Sequence, residues 1–261
     1  MTQEEIERWA KTLHDARKTV KPIEQISKEM EKFNRSDAYS IQERGRALRE
    51  ADGESLIGLK MGLTSEAKRK QMDLDAPLYG FLTNKMQVRD GGNYSLNGQI
   101  HPKIEPEVAF LISKELKGKV SRVEVLEACS EVYPCMEILD SRYQQFKYFS
   151  MEDVISDNSS SSQFVLGSAI KNFKDIDLTN LKLQMKVNGE VREEGNTGAI
   201  SGDPVVSVIQ LCELLGERGQ VLPAGTIVLA GAATTAVKLE AGMVVELEME
   251  KLGNLSIKVE E

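Results

Sequence analysis

From Gly53 to the C-terminus, Gly, Pro and Asn break the chain into short apolar runs, and this punctuation restricts the fold more than any other feature. Leu56–Met61, Ile104–Ile112, Cys135–Leu139, Phe164–Ser168, Leu181–Val187, Thr226–Ala230, Val244–Met249 and Leu255–Val259 have the length and residue types of strands. Asn188-Gly189 lies between two extended runs and signals a hairpin. Helices are expected in this region only at about 122–129 and about 204–217, where Pro204 suits a first helical turn. Many short strands with few helices predict an α+β chain with a mixed sheet curled into a roll or barrel, rather than a doubly wound parallel sheet.

The front of the chain has a different period. Ile6, Trp9, Ala10, Leu13, Ala16 and Val20 recur at helical spacing, which predicts a helix over 3–20 with Thr2 as its cap and Pro22 as its stop. A second helix is expected over Asp37–Ala51, capped by Ser36 and followed by Gly53. Residues 1–55 therefore read as a helical section packed on a main domain of residues 56–261. It would be either a lid or subunit contact, or an amphipathic packing layer.

Composition removes several function classes. The net charge of −8 opposes a nucleic-acid partner, since phosphate binding needs clustered positive charge. The start, MTQEEIERWAK, lacks the basic and apolar regions of a secretory signal, and the longest apolar runs, such as Thr226–Ala233, fall short of a bilayer span. A cytoplasmic protein with no membrane partner is the expectation. Cys129, Cys135 and Cys212 lack the spacing of a thiolate metal site and read as free buried thiols. With only His14 and His101, a three-histidine metal centre is excluded.

What remains is a carboxylate centre. In Lys103-Ile104-Glu105-Pro106-Glu107-Val108, alternation on a strand points Glu105 and Glu107 to one face and Ile104, Val108, Phe110 and Ile112 to the other. Pro106 cannot donate to a ladder, which places this stretch at an edge or a bulge. Such a pair is often only solvent-facing. Glu137 changes the balance, because it lies among apolar neighbours and a carboxylate there needs a positive partner. Three carboxylates without a histidine pair favour Mg²⁺ or Mn²⁺ over zinc. Lys60, in Ile57-Gly58-Leu59-Lys60-Met61-Gly62, either reaches the surface or is held inside by an acid. Burial lowers a lysine pKa and carboxylates raise it, so the pattern leaves its charge state open. The hydroxyls and amide of Asp157-Asn158-Ser159-Ser160-Ser161, and the backbone N–H groups of the Ala230–Thr234 loop, are weaker candidates for holding a ligand.

The motifs GLKMGLTS at 58–65, PLYGFL at 77–82, HPKIEPEVAF at 101–110, MEILDSRY at 136–143 and SDNSSS at 156–161 occur in an order that resembles the hydratase/decarboxylase branch of the fumarylacetoacetate hydrolase superfamily. The similarity runs from about residue 35 to the C-terminus. It implies a mixed β-roll and a divalent-metal enzyme of aromatic catabolism. Glu105, Glu107 and Glu137 match the metal ligands and Lys60 the catalytic lysine. Ser160 and the Gly231–Thr234 loop, with Gly231 and Thr234 at its ends, match substrate-pocket positions.

The branch holds two close activities, decarboxylation of 2-oxohex-3-enedioate (4-oxalocrotonate) and hydration of 2-oxopent-4-enoate (vinylpyruvate). Hydratases carry an aspartate where this chain has Leu78, and Leu78, KMGLTS and the Gln71-Met72 pair all look like the decarboxylase. The resemblance also implies a homo-oligomer and a complex with the partner hydratase. The chain departs from the family pattern at Gly202-Asp203-Pro204, where members often carry histidine before the proline. Two other readings stay open: a non-catalytic binder of 2-oxo acids on the same fold, and an acylpyruvate hydrolase. The second lacks a His–Glu pair to activate water.

Overall fold

The computed structural model describes residues 1–65, 69, 76–146 and 150–261; the Gln71-Met72 pair lies outside them. Helix α1 spans Gln3–Thr19, with Thr2 and Glu5 forming a reciprocal cap. Helix α2 spans Arg35–Ala51 and starts earlier than expected. Asn34, not Ser36, caps it, because the Asn34 side chain accepts from Asp37 N–H while Asp37 reaches back to the Asn34 backbone. The two helices pack on each other, and α2 also packs on α4 (Met151–Ser156).

The main domain carries β1 (Leu56–Gly62), β2 (Leu78–Thr83), β3 (Gln87–Val88), β4 (Asn93–Ser95), β5 (Lys103–Ile112), α3 (Arg122–Ala128) and β6 (Cys129–Leu139). After α4 follow β7 (Ser161–Leu166), β8 (Lys182–Val187), β9 (Glu190–Asn196), α5 (Pro204–Glu217), β10 (Ile227–Ala232), β11 (Val237–Lys238), β12 (Val244–Met249) and β13 (Gly253–Glu260). Among the described residues these form two mixed sheets. The larger has the order β2-β1-β10-β5-β6-β7-β3, with β11 paired to β5. β1 and β10 run parallel, and so do β3 and β7. The smaller has the order β4-β13-β12-β8-β9. β2 comes round to contact β7, so the larger sheet is curled as the punctuated sequence required. The Asn188-Gly189 turn joins β8 to β9 with both residues at positive φ, as a type I′ hairpin demands.

Two expectations need correction. Pro106 does not lie at an edge, since β5 is paired on both sides, to β10 and to β6. A register shift in β10 between Leu229 and Ala232 accommodates it, so the bulge lies in the neighbouring strand. And the stretch 197–217 is apolar and long enough to cross a membrane by composition (mean hydropathy 1.3), although it is half buried. It contains α5, whose Val205, Val208, Leu211 and Leu215 are buried in the core and which packs on β10.

Register separates the two faces of the curled sheet, because cross-strand partners share a face. Leu59, Met61, Tyr79, Ile104, Val108, Phe110, Met136, Ile138 and Val228 belong to the main core. The opposite face holds a small plug of Leu82, Met86, Ala109, Cys135, Phe164 and Leu229. The charged residues of interest project from this second face, since Glu105 pairs with Glu137, Glu137 with Phe164, and Lys60 with Leu229.

Candidate active site

Glu105, Glu107 and Glu137 each offer a carboxylate oxygen, and these oxygens lie within 4.8 Å of one another. Glu107 and Glu137 are fully buried. Glu107 Oε2 accepts the Gly231 N–H at 2.8 Å, while its Oε1 is buried with no hydrogen-bond partner among the described residues. Burial, then the charges of Glu137 and Glu105, push the Glu107 pKa well up. Glu137 Oε1 accepts from Ser161 Oγ at 2.7 Å, and Oε2 lies 2.9 Å from Lys60 Nζ. A buried carboxylate oxygen left bare beside a second buried carboxylate is costly unless a cation completes it. The donor set is all oxygen and suits a hard divalent ion such as Mg²⁺ or Mn²⁺.

Lys60 is held inside by acids, which resolves the alternative left by its sequence context. Its Nζ is 3.2 Å from Ser159 O and 3.1 Å from Ser159 Oγ, in addition to the Glu137 contact. Burial opposes its charge, but Glu137, Glu107 and Glu105 outweigh burial and raise its pKa above the ordinary lysine value. Its donors are directed at Glu137 and Ser159.

The sequence singled out Ser160, but the contacts that reach the acid cluster come from Ser159 and Ser161. The Ser160 hydroxyl is 3.5 Å from Asp157 Oδ2. The reason is backbone: Asn158, Ser159 and Ser160 have φ of 51°, 54° and 54°, three successive residues in the left-handed region. Each costs roughly 1–2 kcal/mol there, so the run persists only because its surroundings hold it.

Three devices hold it. Arg142 (6% exposed) ion-pairs with Asp157, also donates to the Asp157 carbonyl, and reaches Ser161 O at 3.2 Å. Burial nonetheless pushes Asp157 up to about 6 against the pull of Arg142. The Asn158 carboxamide accepts from Phe81 N at 2.8 Å and donates to Phe81 O at 3.0 Å, as a strand neighbour would. Gly80 supplies the clearance, because a Cβ there would stand 2.8 Å from Asn158 O. Gly80→Ala should therefore shift the serine run at a cost of about 1–3 kcal/mol, with turnover falling as Ser159 leaves Lys60. A crystal structure of the variant with the run unmoved would refute this.

The remaining nominated residues divide. Leu78 is fully buried, and its Cδ1 and Ser159 Oγ would both press on a Cβ at Gly62 (2.8 and 2.7 Å). An apolar side chain thus stands beside the lysine's serine partner. The Gly231 N–H serves the protein's own Glu107, and Gly231 (φ +109°) packs on Thr64, whose Oγ1 would be 2.3 Å from a Cβ. Thr234 Oγ1 donates to Thr235 O at 3.2 Å, with its methyl against Gly195. Asp203, the departure from the family pattern, caps α5 by accepting from Val205 N at 2.9 Å and pairs with Arg122 at 2.7 Å. The helix entry is therefore kept without a histidine. Cys129, Cys135 and Cys212 are free and buried as expected.

Comparison with known proteins gives the family. A curated 4-oxalocrotonate decarboxylase of Pseudomonas putida is 37% identical over 99% of this chain and 98% of its own length. The solved structure of 4-oxalocrotonate decarboxylase from Pseudomonas putida G7, complexed with magnesium and adipate, superposes with a TM-score of 0.96 at 37% identity, covering 99% of this chain and 98% of that one. A curated 2-hydroxyhexa-2,4-dienoate hydratase of Comamonas testosteroni is 34% identical over 98% of each chain. The family model described as fumarylacetoacetate (FAA) hydrolase C-terminal matches residues 55–260, which takes in β1 with Lys60 and every acid of the cluster. The chain belongs to the fumarylacetoacetate hydrolase C-terminal family.

Proposed function

We propose that this chain is a carboxy-lyase that converts 2-oxohex-3-enedioate (4-oxalocrotonate) to 2-hydroxypenta-2,4-dienoate and CO₂. The carrying observation is the buried carboxylate cluster with Lys60 ion-paired at 2.9 Å and a bare Glu107 Oε1. Glu105, Glu107 and Glu137 would hold Mg²⁺ or Mn²⁺, which supplies Lewis-acid polarisation of the 2-oxo group when bound. In the reaction the C5–C6 bond breaks and CO₂ leaves. The electron pair moves through the conjugated chain to the 2-oxo oxygen, which takes up a proton.

Lys60 is the donor placed for that oxygen, because help aimed at developing charge accelerates the step. A substrate oxygen would take the place that Ser159 now fills on Nζ. Leu78 keeps the neighbourhood apolar and disfavours water as a reactant. Ser160, Gly231 and Thr234 remain proposed pocket positions beside it. Adipate, named with the Pseudomonas putida G7 relative, is a six-carbon dicarboxylate like the proposed substrate. Residues 1–55 are assigned as a helical section on the catalytic roll of 56–261, in a cytoplasmic enzyme that forms homo-oligomers and can pair with the hydratase that consumes the dienol.

Full-length similarity to a hydratase keeps one second reading, 2-oxopent-4-enoate hydratase, on the same centre. An ultraviolet assay decides between them. With Mg²⁺, 2-oxohex-3-enedioate should be consumed with CO₂ release, and removal of the ion should stop turnover until Mg²⁺ or Mn²⁺ is restored. Rapid loss of 2-hydroxypenta-2,4-dienoate with the dicarboxylate untouched would establish the hydratase instead.

A further inference from the structure

Beneath the helical layer lies a second charged feature, separate from the acid cluster. A cavity of about 270 Å³ opens between α1 and α2 on one wall and β7 with the turns after β2 and β6 on the other. Arg17, Arg49, Lys85 and Arg142 line it from four different segments. Arg49 and Arg142 are more than nine-tenths buried. The acids on the same wall are largely spoken for. Glu54 accepts from Arg49 Nε at 2.8 Å and from Thr83 Oγ1, and lies 3.5 Å from Arg17. The Asp140 carboxylate accepts the backbone N–H groups of Ile100 and His101. Arg142 is matched by Asp157.

Positive charge is what remains. Arg17 and Arg49 share one carboxylate, and Lys85 makes no ion pair among the described residues. Burial, followed by the Arg49 guanidinium, holds the Arg17 pKa down to about 10 against the opposing pull of Glu54 and Asp52. In a chain of net charge −8 this is a local departure from the average. Gln99 and Gln163 add side-chain amides to the same lining.

We infer that this cavity binds a small dianion, either a dicarboxylate or inorganic phosphate, at a site distinct from the carboxylate centre. Guanidinium groups match carboxylate and phosphate oxygens geometrically, and cations on both walls favour a ligand able to engage two of them at once. Neither Lys60 nor any of Glu105, Glu107 and Glu137 lines the cavity. An anion there ties the helical layer to the roll through Arg17 and Lys85. It also touches Arg142, which holds Asp157 and Ser161 on either side of the serine run. Binding itself does not depend on the reaction proposed above.

The test is calorimetric titration of the full chain, stripped of divalent ions and dialysed free of chelator so that the acid cluster cannot capture the ligand through a metal. Inorganic phosphate and succinate are the two probes, at ionic strength held constant with chloride. At least one should bind with a Kd at or below about 1 mM. In Arg17→Gln/Lys85→Ala the Kd should rise by about tenfold or more, with turnover in the absence of the dianion unchanged. Binding of phosphate alone or of succinate alone identifies the source. If the double variant does not fold, Lys85→Ala, at an exposed side chain, should still raise the Kd by about threefold or more. No saturable heat with either probe, or a Kd unmoved in the folded variant, overturns the inference.

Discussion

Lys60→Met is expected to leave a metal-loaded protein folded while lowering kcat by about 10²–10⁴-fold, the range for a positioned proton donor. Methionine fills the aliphatic volume of lysine and removes only the ammonium. The structure adds a second effect, on stability. Lys60 is the cation next to Glu137, and a fully buried ion pair that loses one partner typically costs about 3–5 kcal/mol. The ion-free variant should therefore melt well below the ion-free native chain, and saturating Mg²⁺ should close most of that gap by supplying the missing positive charge. Thermal melts with and without Mg²⁺, together with kcat, check both effects. A near-native rate would remove Lys60 from the chemistry. An unchanged melting temperature without the ion would show that the pair contributes nothing to the fold.

Glu107→Gln should move stability the other way. The native carboxylate is fully buried, has one oxygen bare, and has its pKa raised by burial and by two neighbouring acids. Glutamine keeps the shape, keeps an oxygen for the Gly231 N–H, and removes an acid that burial and two neighbouring carboxylates disfavour more than Lys60 and Gly231 favour it. The ion-free variant should be more stable than the ion-free native chain at neutral pH. Its affinity for Mn²⁺ should fall by about 100-fold or more, beyond what loss of an outer-shell partner produces.

The pH dependence has a defined sign. A carboxyl whose folded-state pKa exceeds its free value of 4.5 contributes stability that is fully present below that free value and is lost as pH rises through the folded pKa. The ion-free native chain should thus gain stability on acidification from neutral pH, and Glu107→Gln should lose that gain. Melts across pH, alongside Mn²⁺ titrations, measure this. Undiminished Mn²⁺ affinity in the variant would exclude Glu107 as a ligand.

The acid centre was legible because its signals are local. Strand alternation put Glu105 and Glu107 on one face, and apolar neighbours marked Glu137 as a carboxylate in need of a partner, while Lys60 stayed open between surface and interior until the fold placed it against Glu137. The curled sheet was legible from the punctuation of the chain. The parts that escaped are those whose partners lie far off in sequence. The strand at Leu78–Thr83 is not among those the sequence predicts, and it shows only through its pairing with β1. Arg142 reads as an ordinary residue after a strand, and only the fold brings its guanidinium onto Asp157. Ser160 is the position that the resemblance matches to the pocket, and the residues alone do not show that Ser159 and Ser161 are the serines in contact with Lys60 and Glu137, because a run of identical residues carries no phase. The phase was set by three left-handed residues, and nothing in four serines announces them.

The parallel pairing of β1 with β10 has a consequence for how the molecule is made. Gly58, Leu59 and Lys60 take their places against Ile227, Val228 and Leu229, nearly the full length of the domain away. Glu105 and Glu137 face each other across strands that are close in sequence and need little chain to be closed into a loop. During synthesis the two acids can meet early, while the pairing of β1 with β10 waits for Ile227–Leu229 to emerge. Contacts of such long sequence separation form late and slow the overall rate. The pairing of β1 with β10 therefore closes late, and a shortened chain lacking β10 leaves that side of β1, and the Gly231 N–H that Glu107 accepts, without its native partner.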